Sequence, residues 1–294
     1  MSGALSVWVE AARPRTLPAA LTPVLVGAAA ADATGGTVIA WRALAALVVA
    51  LATQVGVNYA NDYFDGVKGV DAPTRVGPRR AVAAGLVAPG RMKIAIGAAL
   101  GVAALAGLAL AAAAGWELVA VGALCFAAAL GYSGGSRPYA SAGLGEVFVF
   151  VFFGLVATVG SAYVHIERVA LVAVLAAVPV GLLAVAILVV NNLRDISTDG
   201  QAGKRTLAVR LGDRRTRSLY ANLLTVVPVF VVGVAVTAGS AWPLLAVAAI
   251  PLAFRPLQAV SRGASGAALI PVLGATAVVQ LATGAGLAAG LILA

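Results

Sequence analysis

Five of the 11 acidic residues of this 294-residue chain fall in two short stretches, NDYFDGVKGVD (61–71) and NNLRDISTDGQAGKRTLAVRLG (191–212). Asn58, Asp62 and Asp65 are spaced by four and three residues, and Asn191, Asp195 and Asp199 by four and four. On an α-helix such spacings place each trio on one face. Carboxylates gathered this closely repel one another unless cations lie between them. Oxygen donors of this kind suit Mg²⁺, which keeps part of its water and is shared between one or two carboxylates and substrate phosphates. Basic residues follow both trios: Lys68, Arg75, Arg79 and Arg80 after the first, Lys204, Arg205 and Arg210 after the second. Carboxylates for a divalent cation beside guanidinium and ammonium groups for phosphate oxygens make a diphosphate site. Gly66, Gly69, Gly200 and Gly203 would let the backbone turn back over such a ligand. One solvated loop could carry these residue types without function; their recurrence in the same order and spacing favours a site.

The elements that position these residues are set by the solvent the chain is built for. Hydrophobic residues make up 62% of the sequence and the mean hydropathy is +1.01, against the roughly 45–50% apolar content of soluble domains. The expected fold is an all-α, polytopic membrane protein forming one domain over residues 1–294. Runs of about 20 apolar residues mark spans, and nine are expected: 16–32, 43–61, 94–114, 117–132, 145–164, 169–193, 218–238, 242–260 and 267–292. The eighth, with Pro243, Pro251, Arg255 and Pro256, is the weakest. The opening stretch MSGALSVWVEAARPRT reads as an interfacial amphipathic segment rather than a cleaved leader.

With nine spans, all of the 20 Lys and Arg except Arg42 and Arg168 fall on one side. The positive-inside rule then puts the protein in the cell membrane with its N-terminus cytoplasmic and its C-terminus outside. The net charge of +9 is accounted for by cytoplasmic loops and the lipid bilayer, not by nucleic acid. Cys125, alone in its run, excludes internal disulfides and thiolate metal sites. His165, beside Glu167 and Arg168, is expected in a solvated outer loop. Both acidic stretches follow spans, the second and the sixth, on the cytoplasmic side. Their separation by four spans suggests a duplicated four-helix unit whose motifs meet across the bundle.

NDYFDGVKGVD and NNLRDISTDGQAGKRTLAVRLG resemble the two aspartate-rich motifs of the UbiA superfamily of intramembrane prenyltransferases. Together with ARPRTLPAA near the N-terminus, TRVGPRRAVAAGLV, and GYSGGSRPYASAGLGEVFVFVFFG from 131 to 154, they resemble the branch acting on 1,4-dihydroxy-2-naphthoate. The likeness spans residues 12 to about 212. It departs from the superfamily's commoner first motif in the five residues separating Asp65 from Asp71, which is the branch's own tendency and leaves Asp71 further out. The resemblance implies a nine-helix bundle with a cavity open sideways to lipid. It also implies that Asp62, Asp65, Asp195 and Asp199, assisted by Asn58 and Asn191 or Asn192, hold two Mg²⁺ ions and the diphosphate of a polyprenyl donor. Lys68, Arg79, Arg80, Lys204 and Arg205 would clamp the diphosphate oxygens. Prenylation of 1,4-dihydroxy-2-naphthoate with loss of carbon dioxide would give demethylmenaquinone.

Arg13, Arg137, Tyr139 and Glu146 are the candidates for contacting the acceptor, with Tyr132 and Tyr139 able to cap the cavity by their ring faces. Two other functions fit the composition: prenylation of a different aromatic acceptor, or transport of a phosphorylated solute. Transporter sites usually lie near the bilayer midplane on broken helices, whereas these charges gather at one rim.

Overall fold

A computed structural model describes residues 2–69, 80–136 and 138–294, and the described residues form helices joined by turns. Asp71, Arg75, Arg79 and Arg137 lie outside the described residues. The helices are α1 (Ser2–Ala12), α2 (Pro18–Asp32), α3 (Ala40–Lys68), α4 (Pro89–Ala114), α5 (Glu117–Gly131) and α6 (Gly145–Val149). They continue with α7 (Ala157–Ile166), α8 (Leu171–Arg194), α9 (Ile196–Gln201), α10 (Leu207–Ala238), α11 (Ile250–Ser261) and α12 (Ile270–Ile292). A π-helical segment, Phe150–Val156, joins α6 to α7 into one apolar rod.

Among the described residues seven helical rods are long and apolar enough to cross a membrane, and α2 and α5 are shorter apolar helices. The expected first and fourth spans fall on those two. The eighth begins as a 3-10 segment, Trp242–Ala249, before α11, as its prolines lead one to expect.

Helix α3 explains how polar chemistry is reached from an apolar run. Its 29 residues rise about 1.5 Å each, more than the roughly 30 Å of a hydrocarbon core. The last turns therefore overrun the apolar stretch and carry Asn61, Asp62, Asp65 and Lys68 as a rigid extension. Gly69, with φ +63°, ends the helix in the left-handed conformation that glycine adopts without strain.

Helix α8 is the most deeply packed of the long rods, with α2, α10, α12 and the π-helical segment around it. Its contact with the π-helical segment is backbone on backbone. A Cβ placed on Gly154 would stand 2.6 Å from the Cα of Gly181 and 3.2 Å from the carbonyl oxygen of Ala177. Close approach of this kind is how helices associate where lipid removes the hydrophobic drive.

One expectation fails at the opposite end from the motifs. His165 is not a solvated loop residue: it closes α7, is buried, and its Nδ1 accepts a hydrogen bond of 3.2 Å from the Ile39 amide. Beside it Arg42 donates to the carbonyls of Val164 and Ala113, each at 2.7 Å, and to Glu167 at 3.1 Å. These bonds fasten the ends of α3, α4 and α7, and they account for Arg42 and His165 as structural residues.

The Gly154–Gly181 contact yields a prediction. Gly154→Ala should destabilise the bundle by about 1–3 kcal/mol, seen as a lower melting temperature of the detergent-solubilised protein; an unchanged temperature would mean that the helices are not in backbone contact.

Candidate active site

The site is assembled at the end of α3. Asp62 and Asp65 project from its final turns and are buried, at 2% and 6% exposure. Both Asp62 oxygens are engaged by backbone: the Val82 amide donates to Oδ1 at 2.9 Å and the Ala81 amide to Oδ2 at 2.8 Å. Asp62 thus holds the segment that follows α3 against the helix. Gly66 makes room for it, since a Cβ there would meet Val82 Cβ and the Ala83 nitrogen at 2.9 Å. That placement brings Arg80 onto Asp65, with Nη2 donating to Oδ2 at 2.7 Å.

The second motif is built differently from its spacing. Helix α8 stops at Arg194, and Asp195, at φ −100° and ψ 7°, is not helical. It begins α9 instead, its carbonyl accepting from the Asp199 amide at 2.8 Å and the Thr198 hydroxyl at 3.0 Å. Asn191, Asp195 and Asp199 therefore do not share one continuous helical face. The break permits a contact that a helix forbids, because adjacent residues on a helix diverge. Arg194 forks onto its own neighbour, Nε to Asp195 Oδ1 at 2.7 Å and Nη2 to Oδ2 at 2.6 Å. Nη2 also donates to Asn191 Oδ1 at 3.0 Å.

After α9 the chain turns through Gly203, whose φ of +73° suits glycine, while the Lys204 amide donates to the Asp199 carbonyl at 2.8 Å. The turn delivers Lys204 to the first motif: its Nζ stands 3.0 Å from Asp65 Oδ2. The two acidic motifs are thereby joined through one carboxylate that receives both Arg80 and Lys204.

Other expected residues take less direct places. Asn58 is buried, and its amide donates to the Ala12 carbonyl at 2.8 Å and the Thr16 hydroxyl at 3.1 Å, lashing the N-terminal segment to α3. Lys68 donates to the carbonyls of Ser133 and Gly135 at 2.9 and 3.0 Å, bracing the turn after α5. Arg205 is exposed, and its amide donates to the Ser141 carbonyl at 3.1 Å. Glu146 is buried; Oε1 accepts from Asn192 Nδ2 at 2.9 Å, and Oε2 has no hydrogen-bond partner among the described residues. Tyr139 donates its hydroxyl to the Ala128 carbonyl at 2.7 Å and stacks on Phe148 at 3.8 Å between centroids. Burial pushes that hydroxyl above its ordinary pKa, so it remains a donor.

A cavity of about 930 Å³ opens among α2, α3, α5, α8 and the π-helical segment. Its walls are mainly Ala, Val, Leu and Phe, and its polar end includes Arg13, Asn58, Asn61, Asn191 and Arg194. Tyr132 and Tyr139 line it as well. Arg13 holds the left-handed conformation at φ +53° where the chain passes from α1 into a 3-10 turn, Pro14–Thr16.

The donor set bears on whether a cation belongs here. Asp62, Asp65 and Asp195 are buried carboxylates and the amide oxygens beside them are hard donors, the chemistry of Mg²⁺. Among the described residues no three carboxylate, His or Cys side chains converge closely enough to cage an ion by themselves. That matches the habit of Mg²⁺, which takes one or two carboxylates and completes its shell with phosphate oxygens and water. The residues fit a cation shared with a phosphate ligand, and they do not fit a protein-only cage.

Arg194 was missed from sequence. Read as one more basic residue at a helix end, it is instead the partner of Asp195 and part of the cavity lining.

Residues 20–265 match the model of the UbiA prenyltransferase family. A 1,4-dihydroxy-2-naphthoate octaprenyltransferase of Mycobacterium tuberculosis is 48% identical over 93% of this chain and 92% of its own length. The protein of the same description from Escherichia coli is 37% identical over 74% and 72%. A UbiA homolog from Archaeoglobus fulgidus, its structure bound to DMAPP and Mg2+, superposes with a TM-score of 0.68 at 14% identity, covering 95% of this chain and 98% of that one. At that identity the structural likeness speaks to the fold, while the match over most of the sequence decides membership: the chain belongs to the UbiA prenyltransferase family.

Proposed function

We infer that the protein transfers a polyprenyl group from polyprenyl diphosphate to 1,4-dihydroxy-2-naphthoate, releasing diphosphate and carbon dioxide and forming demethylmenaquinol, the hydroquinone form of demethylmenaquinone. The observation that carries the reading is the Asp65–Lys204 contact of 3.0 Å, which joins both motifs beside a large apolar cavity with a polar end. The 48% identity to the M. tuberculosis octaprenyltransferase over 93% of the chain supports the acceptor.

The chain's residues divide the work. Asp62, Asp65, Asp195 and Asp199, with the amide oxygens of Asn58 and Asn191, would hold a divalent metal, which we take to be Mg²⁺. When bound, such an ion neutralises charge building on the departing diphosphate. Lys204 and Arg80, already converging on Asp65, supply further positive charge for its oxygens, and Lys68, Arg79 and Arg205 are assigned to the same oxygens from their place in the motifs. The bond between the donor's first carbon and oxygen breaks with the electron pair going to diphosphate, the acceptor ring attacks the allylic cation, and the carboxylate leaves as carbon dioxide with its bonding pair returned to the ring. The cavity's hydrocarbon walls accommodate the tail and exclude water from that cation. Arg13, Arg137, Tyr139 and Glu146 are assigned to the acceptor; the Tyr139 and Phe148 rings form an aromatic wall for it.

Charges gathered at helix ends, not midway along them, favour this enzyme over a solute carrier. The placement of nearly all basic residues on one side supports a plasma-membrane protein with a cytoplasmic N-terminus and an external C-terminus.

Two outcomes follow. Membranes given labelled polyprenyl diphosphate, Mg²⁺ and 1,4-dihydroxy-2-naphthoate should form a lipid-soluble prenylated product, and chelation of the metal should abolish it; prenylation of 4-hydroxybenzoate instead would overturn the acceptor. Asp62→Ala and Asp195→Ala should each lower turnover at least about a hundredfold in protein that remains folded and inserted. Near-full activity in either variant would refute the assignment of the carboxylates.

A further inference from the structure

Arg194 sits at the polar end of the cavity with part of its guanidinium uncommitted. A guanidinium has five N–H donors. Nε and both hydrogens of Nη2 are accounted for by the two Asp195 oxygens and by Asn191 Oδ1. The two remaining N–H groups are both on Nη1, which makes no hydrogen bond with the described residues. The side chain is 3% exposed, yet it lines the cavity, so Nη1 is the end that the cavity can reach. A cation locked in place by three hydrogen bonds at the polar end of an otherwise apolar cavity is a preorganised anion subsite, since little rotamer freedom remains to be lost on binding.

We propose that Nη1 of Arg194 binds the carboxylate of the aromatic acceptor and thereby selects a ring that carries one. The inference rests on the transferase reading above. Two acids could claim this cation, the acceptor carboxylate and the diphosphate, and position separates them. Lys204 and Arg80 gather on Asp65, and neither is part of the cavity lining. Arg194 is, together with an aromatic group made by Tyr132, Tyr139 and Phe148. Tyr132 meets Tyr139 edge to face at 5.4 Å, and Tyr139 stacks on Phe148 at 3.8 Å.

Helix α8 relates the cation to that group. Leu188 Cδ2 and Tyr132 Cε2 lie 3.5 and 3.7 Å from the point where a Cβ on Gly145 would stand, so the Leu188 turn of α8 runs past Tyr132. Asn191 is one turn further along, about 4.5 Å of rise. The Arg194 side chain bends back to bond Asn191, as long helical side chains point toward the N-terminus. Along α8 the Asn191 contact thus lies about one turn beyond the turn that passes Tyr132, and the cation and the aromatic group line one cavity, an arrangement suited to a fused ring system bearing a carboxylate.

The test is binding without donor or metal. The detergent-solubilised full chain is titrated anaerobically with 1,4-dihydroxy-2-naphthoate and with 1,4-naphthalenediol, which lacks the carboxylate. The wild type should prefer the acid, and in Arg194→Gln the ratio of the two dissociation constants should fall roughly ten- to a hundredfold; Arg194→Lys, keeping the charge, should recover part of it. Because the ratio is taken within one variant, general damage to the bundle cancels. An Arg194→Gln protein that retains the wild-type ratio overturns the proposal, and so does one whose ratio holds while its affinity for inorganic diphosphate drops. Failure of the functional reading looks different: the wild type itself would then show no preference for the naphthoate and would prenylate another acceptor.

Discussion

Asp65 carries a negative charge where little water reaches it, and compensating that charge organises the site. A desolvated carboxylate is costly unless paired and hydrogen-bonded. Here the compensation comes from two directions: Arg80, on the segment following its own helix, and Lys204, from the far motif. Asp62, three residues earlier, fixes the first of these by holding the Ala81 and Val82 amides, and Gly66 gives that segment space to lie against α3. Gly203 and the Asp199 carbonyl fix the second by turning the chain so that Lys204 points back. Among the described residues no three acidic side chains converge to cage an ion, and a cluster of carboxylates and cations so arranged is completed by a ligand bringing its own anionic oxygens.

The membrane sets the remaining geometry. Polar groups can converge only where helices outrun the apolar layer or where their side chains turn into a sheltered space. Helix α3 does the former with its final turns. Helix α8 does the latter, ending at Arg194 with a guanidinium that serves Asp195 on one edge and the cavity on the other. The opposite ends of the rods are fastened by Arg42 and His165, which leaves the interior between these two polar layers apolar and wide enough for an isoprenoid tail.

Much of this was legible in the sequence because it depends on local pattern. The overrun of α3 follows from Asn58, Asp62 and Asp65 continuing the helical spacing of an apolar run, and the meeting of the motifs from their placement on one side of the bilayer. The second motif was misread in detail. Its four-residue spacing implies a continued helix, whereas Asp195 breaks it, and the break allows the Arg194–Asp195 fork that an unbroken helix excludes. His165 was misplaced for a related reason: a lone histidine beside Glu167 and Arg168 resembles a solvated loop, and only the tertiary approach of Ile39 shows it to be an acceptor in a buried joint. Lys68 reads as a phosphate ligand by its company, and the sequence does not show that its ammonium also braces the Ser133–Gly135 turn. Backbone carbonyls as partners leave no trace in the sequence.

The central claim is that Asp65 and Lys204, from separate motifs, act as one unit. A double-mutant cycle on kcat/KM for prenyl transfer tests it most directly, using Asp65→Asn, Lys204→Gln and the pair. Residues within one charge network are strongly non-additive, so the double variant should be scarcely worse than the poorer single one. Losses that simply multiply would show that the two motifs work independently and would contradict the account.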